Sequence, residues 1–256
     1  MKSQICDLLG IEFPMVAFSH CRDVVAAVSK AGGMGVLGAV GLSPEKLEIE
    51  LNWIDEHVNG KPYGVDVLIP NSYVGKGENL ATDDLRAMIP QEHRDFRADL
   101  LEQHDINASD LRNDEESKEF EQKTNESLGA GLERAQEVLE VAFSHPIGLV
   151  ANALGVPPKW MLEMGKKNNV PVAALVGAKQ HAVKQAEAGV DIIVASGTEG
   201  GGHCGSVSTM VLVPEVRRAL KAYGNVPILA AGGICTGEQM AGIMAMGADG
   251  IWCASV

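Results

Sequence analysis

No stretch of this chain is long and apolar enough to cross a bilayer. The roughly 18 uncharged residues that a spanning helix needs occur nowhere in its 256 residues, and Met1 to Gly10 holds no apolar core of signal-peptide length. A soluble, cytoplasmic protein is the expectation. Positive charge is scarce too: 21 Lys and Arg face 34 Asp and Glu, a formal net charge of −13. That balance disfavours nucleic acid and anionic membrane surfaces as partners, so an anionic ligand has to be captured by local donors. The 5 cysteines, Cys6, Cys21, Cys204, Cys235 and Cys253, are odd in number and scattered, with no Cys-x-x-Cys pair. Their spacing argues against a disulfide framework and against a zinc site, and points to reduced thiols. No metal is expected. The first strand-to-helix turn also lacks Gly-x-Gly-x-x-Gly, which removes the main support for a doubly wound dinucleotide-binding sheet.

What the chain does have is one rhythm, repeated. Short apolar runs lie at 13–18, 34–40, 63–69, 147–151, 170–176, 190–195, 226–231 and 250–253. Helical spacing separates them at 22–30, from Ser43-Pro44-Glu45 toward Gly60, at 128–142, 158–167, 179–187, 209–222 and 237–246. The later runs are apolar without polar alternation, as strands become when both of their faces are covered. Eight strands linked by helices predict a (β/α)8 TIM barrel, a single α/β domain over 1–256. The rhythm breaks once, from about 70 to 128, where the chain is polar and charged. That segment is expected to be an insertion after strand three, carrying short exposed helices at 83–88, 92–104 and 115–124 and a solvated charge run at 113–121. The chain stops at Val256, directly after strand eight. The helix that would cover the seam between strands eight and one is therefore absent, and the chain reads as a shortened piece unless another chain covers that seam.

Two glycine-rich stretches follow apolar runs. After strand six comes Ser196-Gly197-Thr198-Glu199-Gly200-Gly201-Gly202-His203-Cys204-Gly205. Three successive glycines contribute nothing to a core and give up much backbone entropy on ordering, so the backbone is expected to pass very close to a ligand there. His203 closes that run and can exchange a proton near neutral pH. Glu199 could orient His203 or cap the loop. Cys204 is not expected to be a nucleophile, because adjacent side chains point apart and no third group supports a triad. After strand seven comes Ala230-Ala231-Gly232-Gly233-Ile234, and then Thr236-Gly237-Glu238 opens a helix. Bare backbone N–H groups beside a helix N-terminus suit an anion, though a plain tight turn would use the same glycines. Of the other histidines only His145, before Pro146 at the start of strand four, is weighed for the site, facing it from the barrel's far side; His20 and His181 are not.

Taken together, these stretches resemble the nitronate monooxygenase family, once called 2-nitropropane dioxygenases. The resemblance runs through residues 26–38 (Ala-Ala-Val-Ser-Lys-Ala-Gly-Gly-Met-Gly-Val-Leu-Gly), through the glycine-histidine stretch, and through Ala230 to Ile234 with Gly247-Ala248-Asp249-Gly250. It covers nearly all of the chain outside the insertion. It implies an FMN flavoprotein whose phosphate rests near Gly232, Gly233, Ala254 and Ser255, with ring-side contacts from Met15, Asp66, Ser196 and Gly201, and with Gly202, Trp252 and Cys253 also among the cofactor-binding residues. It also implies that His203 is the catalytic base or anion stabiliser, and that nitronates or nitroalkanes react with O2 to give a carbonyl compound and nitrite. Asp66 stands where that family usually has asparagine, Ser196 where it has glutamine, and Ala254-Ser255 where it has Gly-Thr. The alternatives are an FMN-dependent NAD(P)H reductase of the enoyl or quinone reductase type and a flavin-binding module without chemistry. Small molecules are the expected partners, with homo-oligomerisation left open.

Overall fold

The computed structural model describes residues 2–69, 88–106, 134–202 and 204–254. Eight parallel strands close in sequence order into a barrel, with β1 hydrogen-bonded to both β2 and β8. They are β1 (Met15–Ser19), β2 (Met34–Gly38), β3 (Tyr63–Val67), β4 (Leu149–Asn152), β5 (Val172–Val176), β6 (Ile192–Ser196), β7 (Ile228–Ala231) and β8 (Gly250–Cys253). The helices, in chain order, are α1 (Gln4–Leu9), α2 (Arg22–Lys30), α3 (Pro44–His57), α4 (Gln91–Glu102), α5 (Ala135–Ser144), α6 (Lys159–Asn168), α7 (Lys179–Ala188), α8 (Thr209–Leu220) and α9 (Gly237–Ala245). The expected (β/α)8 barrel is what the chain forms.

Local signals place the elements closely. Ser43 caps α3 by accepting the Lys46 N–H at 3.3 Å, and Pro44 occupies the first turn, where its missing N–H costs nothing. Thr236 and Gln239 form a reciprocal capping box on α9. The strands read as continuously apolar because they serve two cores. Alternate residues, such as Val65, Val150, Val172, Ile193 and Ile228, pack outward under the helices. The others, including Val16, Met34, Val36, Leu149, Ile192, Val194, Leu229 and Trp252, fill the interior. One element was not anticipated. Helix α1 sends Ile5, Cys6 and Leu9 into the interior cluster and so plugs the amino end of the barrel. Six residues are too few to show a helical period.

By its contacts the chain divides into two compact units, 1–71 with 134–256, which carries the barrel, and 72–133. In the second unit α4 corresponds to the helix expected at 92–104. The helix expected at 115–124, most of the one at 83–88 and the charge run at 113–121 lie outside the described residues.

Candidate active site

The amino end of the barrel is chemically saturated. Beyond the α1 plug, Tyr63 donates its hydroxyl to Asp55 at 2.6 Å, and His145 sits between Asp55 (Nδ1 at 2.6 Å) and Glu48 (Nε2 at 3.3 Å). The Asp191 carboxylate accepts the Val172 N–H at 2.9 Å. Asp249 accepts the Ile228 N–H at 2.8 Å and also pairs with Arg217. His145 is therefore fixed in a carboxylate network at this end and does not reach the opposite mouth.

The carboxyl ends of the strands are built differently, and this is the end at which barrels of this class place their chemistry. Alternate strands contribute side chains to the interior in layers. Val36, Ala151, Val194 and Trp252 form one layer, and Phe18, Asp66, Leu175 and Ala231 stand above it, as register and alternation require. Asp66 is 4% exposed, and its Oδ1 has no hydrogen-bond partner. Its register neighbours, Gly38 and Ala151, bring no polar side chain. Burial alone pushes the Asp66 carboxyl up to about 8. Beside it His20 places Nδ1 3.1 Å from the Gly38 carbonyl and turns its ring edgewise to Phe18, with centroids 5.1 Å apart.

Two glycine loops meet over this layer. Gly232 (φ +101) and Gly233 (φ +70) hold a left-handed turn, and a Cβ on Gly232 would stand 3.1 Å from the Gly197 carbonyl oxygen. A Cβ on Gly200 would stand 3.7 Å from the Gly232 Cα, so the β6 and β7 loops are in backbone contact. A side chain on Gly232 would crowd the Gly197 backbone and push the loops apart. Thr209 fastens the pair: its hydroxyl lies 2.9 Å from Glu199 Oε2, 2.9 Å from the Gly232 carbonyl and 3.2 Å from the Ala231 carbonyl. Glu199 accepts the Thr209 N–H at 2.9 Å, the largest cause of its lowered pKa, and so closes the N-terminus of α8. Glu199 thus has a capping role, and the alternative of orienting His203 involves a residue outside the described ones. The loop is also braced on its far side, where Gly205 lies so close to the Gly177 carbonyl that a Cβ would overlap it. Cys204 directs its thiol to the Thr198 carbonyl of its own loop at 3.7 Å. Gly201 and Gly202 border open space, with nothing within 4 Å of a Cβ at either position.

Of the residues singled out in the sequence, Asp66, Ser196, Gly201, Gly202, Gly232, Gly233, Trp252 and Ala254 gather at this carboxyl end. Cys253 faces outward, pairs with Ala17, and touches the Ile234 carbonyl at 3.6 Å, backing the glycine turn from behind. Met15 is a correction. It is the first residue of β1, packed under Gly33 at the amino end, because the apolar run begins three residues before the strand's mouth. The residues that follow the strand inward, Phe18 and His20, hold the place expected of it. His203 and Ser255 lie outside the described residues. Sequence reasoning passed over Phe18, His20 and Thr209. Position at the carboxyl end of β1 could have drawn attention to the first two, but no local signal marks Thr209 as a clamp.

At the α9 N-terminus the capping box takes up donors expected to serve an anion. Gln239 Oε1 accepts the Cys235 N–H at 2.8 Å and the Thr236 N–H at 3.0 Å, and the Gln239 N–H goes to Thr236 Oγ1 at 3.3 Å. The box leaves an anion on this side the Gly232–Ile234 backbone and the first N–H groups of α9, at Gly237 and Glu238.

A family model described as nitronate monooxygenase matches residues 2–256. A Mycobacterium tuberculosis protein named as the monooxygenase Rv1533 is 51% identical over 259 residues, an alignment covering 100% of this chain and 66% of that protein. A Staphylococcus saprophyticus protein named as a nitronate monooxygenase is 25% identical over 266 residues, covering 98% of this chain and 66% of that protein. The chain spans about two thirds of the length of these curated relatives. Among solved structures, FabK from Thermotoga maritima is 24% identical with a TM-score of 0.68, covering 99% of this chain and 61% of that one. A nitroalkane oxidase from Streptomyces ansochromogenes is 22% identical with a TM-score of 0.69, covering 98% of this chain and 66% of that one. At such identities the structural likeness speaks for the fold.

Proposed function

The chain belongs to the nitronate monooxygenase family, and from that premise we propose that its barrel mouth binds FMN and oxidises nitronates or nitroalkanes with O2, giving a carbonyl compound and nitrite. The observation that supports this reading is the meeting of the β6 and β7 glycine loops over an interior layer that is plugged from below, with Gly201 and Gly202 bordering open space among the described residues. The residues present suit a flavin on two counts. The Gly232–Gly233 turn offers a phosphate a backbone that no Cβ obstructs, and the buried Oδ1 of Asp66 has no protein partner.

FMN, when bound, supplies the one-electron and oxygen chemistry that no side chain can. The chain supplies position and proton control. The backbone from Gly232 to Ile234, with Ala254 and Ser255 after β8, would hold the phosphate. Ser196, Gly201, Gly202 and Trp252 would border the ring, and Thr209 would keep the two loops at their spacing. His203 would take the proton from the carbon beside a nitro group, which that group acidifies, or as the imidazolium would hold a ready-made nitronate.

The test is a flavin absorbance spectrum of the purified protein, followed by nitronate titration in air and, separately, NAD(P)H addition without oxygen. A yellow protein that consumes O2 and releases nitrite with a nitronate, and whose His203→Ala variant stays yellow but loses turnover, supports the reading. Rapid bleaching by NAD(P)H with no response to nitronate would replace it with a reductase. Colour with equal, slow turnover in both proteins would leave a binding module.

A further inference from the structure

Three aspartates in the barrel unit, the exposed Asp191, the half-buried Asp249 and the buried Asp66, are handled in two ways. Asp191 and Asp249, at the amino end, receive backbone N–H groups, and Asp249 also receives a guanidinium. Each carboxylate is thus supplied with donors. Asp66, at the carboxyl end, receives no donor from the described residues: its Oδ1 is buried and unpartnered, and the strands on either side present Gly38 and Ala151. An ionised carboxylate without donors in such a place is strongly disfavoured, whereas the neutral acid carries a hydroxyl that can donate.

Asp66 stands in an interior layer near the mouth, beneath Gly38 and Ser196 and four strands round the barrel from Ala231, the residue that leads into the Gly232–Gly233 turn. A flavin whose phosphate lay on that turn would have its ring within the mouth that this layer lines. The ring's pyrimidine edge is rich in acceptor atoms. We infer that Asp66 meets the bound flavin as a neutral carboxylic acid donating its hydroxyl to a ring acceptor, so that FMN binding is coupled to one proton and weakens as pH rises. The inference rests on the FMN reading above. It makes Asp66 the functional equivalent of an amide, donor included, but only on the acid side of its titration.

The direction follows from linkage. If only the protonated form binds, the apparent Kd scales as 1 + 10^(pH − pKa), with the pKa of the free protein pushed up to about 8 by burial. Among the described residues the other titratable groups on the strand ends and loops here are His20 beyond β1, Glu199 and Cys204 after β6, Cys235 after β7 and Cys253 on β8, and the sequence puts His203 in the loop after β6. β2 and β4, which flank Asp66, contribute none, and burial is the sole cause of its shift. Glu199 is committed to Thr209, and His20 lies against the Gly38 carbonyl.

The experiment is FMN fluorescence quenching by the flavin-free protein from pH 6.5 to 9.5, for wild type and Asp66→Asn, with circular dichroism to confirm folding. Wild type should weaken about 25-fold between pH 7.5 and 9.5, while Asp66→Asn should change less than about threefold. A measurement that needs no variant is proton uptake in weak buffer at pH 8.5, expected at about 0.8 proton per FMN bound. A level wild-type Kd, an equal slope in Asp66→Asn, or no proton uptake overturns the coupling while leaving FMN binding standing. Absence of quenching by either protein at every pH overturns the FMN reading and the coupling with it.

Discussion

The two ends of this barrel are made from the same eight strands and finished in opposite ways. At the amino end, side chains do everything. Helix α1 fills the opening with Ile5, Cys6 and Leu9, and Tyr63, Asp55, His145 and Glu48 satisfy one another around its rim. At the carboxyl end, side chains are withdrawn. Gly200, Gly201, Gly202, Gly232 and Gly233 leave backbone at the surface, and Asp66 keeps a polar atom without a partner. A saturated end has nothing left to bind with and adds stability. An end with bare backbone and an unspent hydrogen-bonding group gives up stability and gains the capacity to hold a ligand.

That contrast can be broken by substitutions whose effects fall on one property and spare the other. The largest expected effect is on chemistry: His203→Ala should lower turnover with a nitronate about 10²- to 10⁴-fold while flavin content and melting temperature stay near wild type. An equal loss of flavin would make His203 part of the cradle instead. Next, Ile5→Ala at the plugged end should cost about 2–5 kcal/mol in denaturant unfolding and leave Kd for FMN within about twofold. A large change in Kd would mean that the two ends are not independent.

Asp66→Asn sharpens the comparison through pH. The folded chain holds the Asp66 proton up to about 8, whereas the unfolded chain gives it up near about 3.9. Stability due to the neutral acid is therefore complete below the unfolded value and declines as pH rises toward the folded one. Wild type should lose stability relative to Asp66→Asn at about 1.4 kcal/mol per pH unit between pH 5 and 8, then run parallel to it. Flavin-free protein in urea at several pH values gives the answer, and parallel curves throughout would mean that Asp66 is ionised in the fold. The smallest effect is expected from Thr209→Val, at about 1–2 kcal/mol. Its signature is weakened FMN retention, since the hydroxyl joins both loops and Glu199. Unchanged flavin affinity would confine Thr209 to helix capping.

Much of this was legible beforehand for reasons that reside in neighbouring residues. The alternation of apolar runs with helical spacing marks eight strands and the helices between them, and Ser43-Pro44 and Thr236 to Gln239 mark helix starts that the structure keeps. The glycine stretches after β6 and β7 stood out because three glycines, or two after an apolar strand, are locally unusual. Met15 was misplaced because an apolar run carries no mark of where the inward-facing residues reach the mouth. Helix α1 was too short to show a period. His145 was given a share in the site because a histidine before a strand looks alike whichever carboxylates surround it.

By itself the sequence determined the fold class, the order of the elements and the two loops that matter, since these depend on periodicity and on residues that lack side chains. Only the tertiary structure decided that Glu199 caps α8, that Thr209 joins two loops, and that Asp66 is buried among apolar neighbours without a donor while Asp191 and Asp249 have theirs. The physical reason is that a carboxylate's charge and a hydroxyl's partner depend on groups brought together by barrel closure from distant parts of the chain.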